Sequence, residues 1–145
     1  MTVSSTHPKR KDRAGVDRAG RTPLHYAASD GNVDEVARLL AEGMNPAAAD
    51  DEGWTPLHFA AQSSSARVAE LLLSAGAPVD ARDAQGNTPL FKAVFSSRGN
   101  GDVIALLRSH GADPNLANDR GNSPLKLARS IANYDVKQFF SDLPE

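Results

Sequence analysis

The chain has 145 residues, a formal charge of −2, 40% hydrophobic residues and no cysteine. That length sets one domain as the expectation, and the missing thiols exclude a disulfide framework and a thiolate metal site. No apolar run approaches the ~18 residues that a membrane span needs, so the expectation is a protein with no membrane contact, in the cytoplasm.

The charge is uneven along the chain. Residues 1–21 carry +4 and the remainder −6. Residues 1–16 mix Ser, Thr, Pro, Lys, Arg and Gly without apolar periodicity, and read as a flexible basic leader. Within it, Pro8-Lys9-Arg10-Lys11-Asp12-Arg13 resembles a short nuclear-import signal, against the simpler reading of a solvated tail. The N-terminus has no apolar stretch of the kind a secretory signal carries.

From residue 17 one pattern recurs. Gly20-Arg21-Thr22-Pro23-Leu24-His25-Tyr26-Ala27-Ala28 returns as Gly53-Trp54-Thr55-Pro56-Leu57-His58-Phe59-Ala60-Ala61, then as Gly86-Asn87-Thr88-Pro89-Leu90-Phe91-Lys92-Ala93-Val94, and last as Gly121-Asn122-Ser123-Pro124-Leu125-Lys126-Leu127-Ala128-Arg129. The hydroxyl residues fall at 22, 55, 88 and 123, a period of 33, 33 and 35. Each copy opens on a turn that starts with Asp17, Asp50, Asp83 or Asn118, whose side chain can bond its own backbone, and Gly follows three residues on. Thr or Ser then caps a helix by accepting a backbone N–H, and Pro at the first helical position loses no hydrogen bond. Inner helices are predicted near 23–30, 56–63, 89–96 and 124–130. Outer helices are predicted near 33–42, 66–75, 102–110 and 134–141, from apolar residues at helical spacing such as Val68, Leu71 and Leu72. Two residues are inserted within Ser97–Gly101, between the helices of the third copy.

These motifs resemble the ankyrin-repeat family, whose Thr-Pro-Leu-His-x-Ala signature is complete at 22–27 and 55–60. Gly43-Met44-Asn45-Pro46, Gly76-Ala77-Pro78-Val79-Asp80 and Gly111-Ala112-Asp113-Pro114-Asn115 resemble the family's second motif, Gly-Ala-Asp-Val-Asn. The resemblance implies an all-α fold, an ankyrin-repeat α-solenoid of stacked helix-turn-helix units with short β-hairpin-like fingers. The repeat domain would span 17–145, with repeats at 17–49, 50–82, 83–117 and 118–145.

No phosphate loop, metalloprotease helix or nucleophile elbow is present, and the expectation is a protein that is not an enzyme, with no cofactor and no metal. His25 and His58 are expected to bond turn backbone rather than a metal, since helices one repeat apart stand about 10 Å from each other. The resemblance implies protein binding through a concave face of finger tips and inner-helix surfaces. Mapped here, its candidate contacts are Arg21, Asp51, Glu52, Trp54, Phe59, Gln62, Gln85, Asn87, Lys92, Phe95 and Arg120. Trp54 has two readings: an aromatic anchor for a partner, or a ring packed on Phe59. Phe95 likewise either stands out or tucks under the inserted loop, and Tyr26, Phe59 and Lys92 share a position expected to be half exposed. Aromatic residues beside Asp50, Asp51 and Glu52 imply a protein partner with a basic, partly apolar patch, no nucleic acid, and a monomer when free. The functions that follow are an inhibitor or immunity protein of a partner enzyme or, alternatively, an adaptor or nuclear regulatory ankyrin protein.

Overall fold

The computed structural model describes residues 15–144; the basic run at 8–13 lies outside them. Four inner helices, α1 (Pro23–Ser29), α3 (Pro56–Gln62), α5 (Pro89–Ser96) and α7 (Pro124–Ser130), form one row. Three outer helices, α2 (Val33–Ala41), α4 (Ala66–Ser74) and α6 (Asp102–Ser109), form a second row behind it. No strand forms among the described residues, and the fingers are tight turns.

The inner helices begin as their sequence dictates. Thr22, Thr55, Thr88 and Ser123 each accept the backbone N–H three residues on, and Pro occupies the first turn. In the first two copies the histidine returns the bond. Thr22 N–H donates to Nδ1 of His25 at 2.9 Å, and Thr55 N–H donates to Nδ1 of His58 at 3.0 Å. This reciprocal cap satisfies two otherwise orphaned donors at each helix start. Phe91 and Lys126 cannot return it, so the last two inner helices keep only half the cap. The outer helices end in turns at Gly43, Gly76 and Gly111. There Met44, Ala77 and Ala112 donate back to Leu39, Leu72 and Leu107 at 3.0–3.1 Å, the bonds that close a helix C-terminus.

The core runs the length of the stack between the two rows. Leu24, Leu57 and Leu90 recur at one inner position and are fully buried, as are Val36, Val68, Leu72, Ile104 and Leu107 behind them. Ala27, Ala28, Ala60, Ala61 and Ala93 are buried between inner helices, where small side chains let neighbouring backbones approach. At the first outer helix Arg38, the counterpart of Leu71, is exposed and pairs with Glu35 and Glu42, each at 2.6 Å. The two pairs make that face of α2 polar.

One element departs from expectation. In place of a fourth outer helix over 134–141 there is a single 3-10 helix, Val136–Phe140. Arg108 reaches across from α6, donating to the Phe139 carbonyl at 2.9 Å and to both oxygens of Asp142 at 2.8 Å. That carbonyl therefore bonds outside its own helix, while Val136 and Phe140 still close the core.

The histidines also tie each repeat to the next. Nε2 of His25 lies 2.9 Å from the Trp54 carbonyl, and Nε2 of His58 lies 2.9 Å from the Asn87 carbonyl. A carbonyl only accepts and a backbone N–H only donates, so Nε2 carries the proton and Nδ1 is bare. Both rings are neutral, and burial pushes their pKa values below the ordinary histidine value. Below about pH 6.5 the unfolded chain takes up these protons before the folded chain does, so their contribution is complete above that pH and declines as pH falls. The urea midpoint should be lower at about pH 5.5 than at about pH 7.5, and part of that loss should vanish in His25→Phe/His58→Phe, since Phe91 fills the same position in the third repeat. An equal loss in both proteins would place the acid sensitivity elsewhere.

Candidate functional site

The fingers are built around buried acidic side chains. Oδ1 of Asp50 accepts the N–H groups of Glu52 (2.9 Å) and Trp54 (2.8 Å). Oδ1 of Asp83 accepts those of Gln85 and Asn87 at 2.9 Å each, and Asn118 does the same for Arg120 and Asn122. Successive fingers then join through backbone bonds: Asp51 N–H to Ala19 C=O, Ala84 N–H to Glu52 C=O and Asp119 N–H to Gln85 C=O, at 2.8–2.9 Å. The approach is so close that a Cβ on Gly53 would stand 2.8 Å from the nitrogen of Ala84, and Gly53 also holds a φ of +79°. Both conditions call for glycine.

The second oxygen of each carboxylate engages a cation. Nε of Arg21 lies 3.1 Å from Oδ2 of Asp50. Nζ of Lys92 lies 3.4 Å from Oδ2 of Asp83, a buried atom that no described residue hydrogen-bonds. The two cations sit on a stack of aromatic rings. The Arg21 guanidinium is 5.9 Å from the Tyr26 ring centre and 5.2 Å from that of Phe59. Phe59 and Trp54 are 4.7 Å apart at 45°, and Nζ of Lys92 stands 4.1 Å above Trp54. Tyr26, Arg21, Phe59, Trp54 and Lys92 thus make one ladder across three repeats, with Arg21 between two rings and Lys92 capping the Phe59–Trp54 pair. The Tyr26 hydroxyl donates to Asp17, and that bond is the leading cause holding the Asp17 carboxyl below its usual pKa.

The ladder gathers four of the candidate contacts, Arg21, Trp54, Phe59 and Lys92. Of the two readings of Trp54, the packing on Phe59 is present, and the ring is half-buried under Lys92. Two expectations change. Phe59, expected half exposed, is only 8% exposed because Trp54, Arg21 and His25 enclose it. Asp50, read as surface charge, is buried by its own turn. Asp51, Glu52, Gln85 and Arg120 are exposed on finger tips, and Gln62 is exposed at the end of α3. Asn87 is half-buried, its side-chain oxygen accepting from the Asn118 amide at 2.8 Å. Phe95 stands apart from the ladder at the far end of α5 and is 72% exposed, so it does not tuck under the inserted loop.

The sequence marked Asp50 and Asp83 as turn starts, but not as the carboxylates that hold the ladder's cations. Their signal was the register itself: Asp50 and Asp83 start corresponding turns, and Arg21 and Lys92 occupy finger and helix positions next to them. Among the described residues no cluster of three His, Asp or Glu could hold a metal ion. No helix there is long and apolar enough to cross a membrane.

Removing one partner of a buried ion pair leaves the other uncompensated. Lys92→Ala should therefore lower unfolding free energy by about 1–3 kcal/mol, while Glu52→Gln on the finger tip should stay within about 0.5 kcal/mol of wild type. Equal effects in chemical denaturation would mean that the Lys92–Asp83 contact does not hold the third finger.

Against known proteins, a family model described as ankyrin repeats (3 copies) matches residues 4–83, and one described as ankyrin repeats (many copies) matches residues 67–108. No curated protein matches the chain.

Proposed function

The chain belongs to the ankyrin-repeat family, whose members are generally protein–protein interaction modules, and on that premise we propose that it is a non-catalytic binder that engages a protein partner through its finger and inner-helix face. The observation that carries this reading is the ladder from Tyr26 to Lys92. It offers aromatic and guanidinium surface, the chemistry in which interface hot spots are rich. Its cations are paired with Asp50 and Asp83 and its rings pack on one another and on those cations, so little side-chain freedom is left to lose on association.

The partner we propose presents a basic, partly apolar patch. Arg21 and Lys92 are countered by the buried carboxylates beneath them. The second finger tip adds the exposed side chains of Asp51 and Glu52 beside the rings. In this reading Trp54 supplies apolar contact from within the ladder, and Asp51 and Glu52 steer the approach. A rigid face of this kind suits occlusion of a partner enzyme, and we propose inhibition or immunity as its use. The alternative, an adaptor or nuclear regulator, draws on the basic run Lys9-Arg10-Lys11.

Capture of partners from the source cells, followed by kinetics with the purified partner, tests the face directly. Asp51→Lys/Glu52→Lys should slow association about tenfold or more at low salt, and the wild-type rate should fall as salt rises. Inhibition of the partner's own activity would support the immunity reading. An association rate unchanged by the double reversal would remove the second finger from the interface.

A further inference from the structure

A second surface lies at the opposite end of the inner helices from the fingers. The turn after α3 and the inserted loop after α5 enclose an open cleft of about 430 Å³. Phe95 forms its apolar wall and is the most exposed large hydrophobic side chain described. The other lining residues are Ser63, Ser64, Ser96, Ser97, Arg98 and Asn100. No carboxylate lines the cleft.

Two of these residues hold a backbone conformation that their side chains disfavour. Ser64 has φ +58° and Arg98 has φ +50°, the two non-glycine residues with positive φ among those described. Ser64 stands one period after Gly31, which makes the same turn at φ +66°. The turn bonds correspond too, Gly31 N–H to Ala28 C=O and Ser64 N–H to Ala61 C=O, at 3.1 and 3.2 Å. Glycine would take either conformation without the clash between Cβ and carbonyl. Strained residues of this kind gather at functional sites, and both of these line one cleft.

The polar groups there are matched to a ligand rich in acceptor oxygens. Ser63 and Ser97 are engaged internally, Ser63 donating to the Ala28 and Ala60 carbonyls and Ser97 accepting from the Gly99 N–H. Asn100 accepts from the Asp102 N–H through its oxygen, so what its amide group can offer a ligand is donors. The Arg98 guanidinium adds five N–H donors in a planar fork that fits a carboxylate. We infer that this cleft is a second recognition site, which takes an acidic segment of a protein partner with a side-chain carboxylate next to an aromatic residue. The carboxylate meets Arg98 and Asn100, and the ring lies on Phe95. The site is independent of the finger face, and its test can fail while that of Asp51 and Glu52 succeeds.

The experiment is a titration of the full-length ¹⁵N-labelled chain, read from its amide spectrum. The probes are acetyl-Glu-Phe-amide, acetyl-Lys-Phe-amide, acetyl-Glu-Ala-amide and inorganic phosphate. Acetyl-Glu-Phe-amide should give saturable shifts confined to Ser63–Ser65 and Phe95–Asp102, with a dissociation constant below about 10 mM. The other two peptides should bind at least about fivefold more weakly, as should acetyl-Glu-Phe-amide to Phe95→Ala and to Arg98→Gly. Arg98→Gly should also raise the melting temperature, since it relieves the strained turn. Equal binding of the Lys and Glu peptides, the same shifts from phosphate alone, shifts centred on the fingers, or no saturable shift by about 10 mM would each overturn the inference. A fall in melting temperature of Arg98→Gly would remove its strain argument.

Discussion

The structure of the proposed binding face depends on the buried aspartate that opens each central finger. Asp50 accepts two N–H groups of its own turn with one oxygen and engages Arg21 of the preceding repeat with the other. Asp83 repeats the arrangement, with Lys92 supplied by its own inner helix. One carboxylate thus shapes a finger and fixes a cation in a single step. A buried charge persists only when it is paired and hydrogen-bonded, so the turn and the cation support each other. The aromatic rings fill the space between the cations, and cation–ring contacts of about 0.5–1 kcal/mol each bind the array more tightly.

A second tie runs through the interior of the stack. His25 and His58 each complete the cap of their own helix and donate to the finger of the following repeat. The first three repeats are therefore joined twice, by finger backbone and by imidazole. Beyond them Phe91 offers no imidazole bond, and the fourth repeat is joined by the Asp119–Gln85 backbone bond, by Asn118 to Asn87, and by Arg108 gripping Phe139 and Asp142. The ladder lies within the doubly joined part.

The repeats were legible because each carries its own start signal, from Asp or Asn through Gly and Thr-Pro to the small residues of the inner helix. The helices from Pro23 to Ser130 follow from that register. The 3-10 helix at Val136–Phe140 did not, because its apolar residues fit the expected α-helix equally well and no local pattern separates the two. The same distinction holds at the site. The finger-tip positions of Asp51, Glu52, Gln85 and Arg120 follow from the repeat. The enclosure of Phe59 and the burial of Asp50 depend on which side chains meet across repeats, as Arg21 meets Asp50 over 29 positions. The exposure of Phe95 was undecidable from a loop whose path two inserted residues set.

The role of this prearranged face is most directly measured by hydrogen–deuterium exchange of the chain, free and bound to a captured partner. Binding through the ladder and fingers should slow exchange in peptides covering 51–62 and 84–95. Peptides from the outer helices at 33–41 and 66–74 should be unchanged. Protection confined to the outer helices would contradict the account, because the partner would then bind the back of the stack and the ladder would be structural alone.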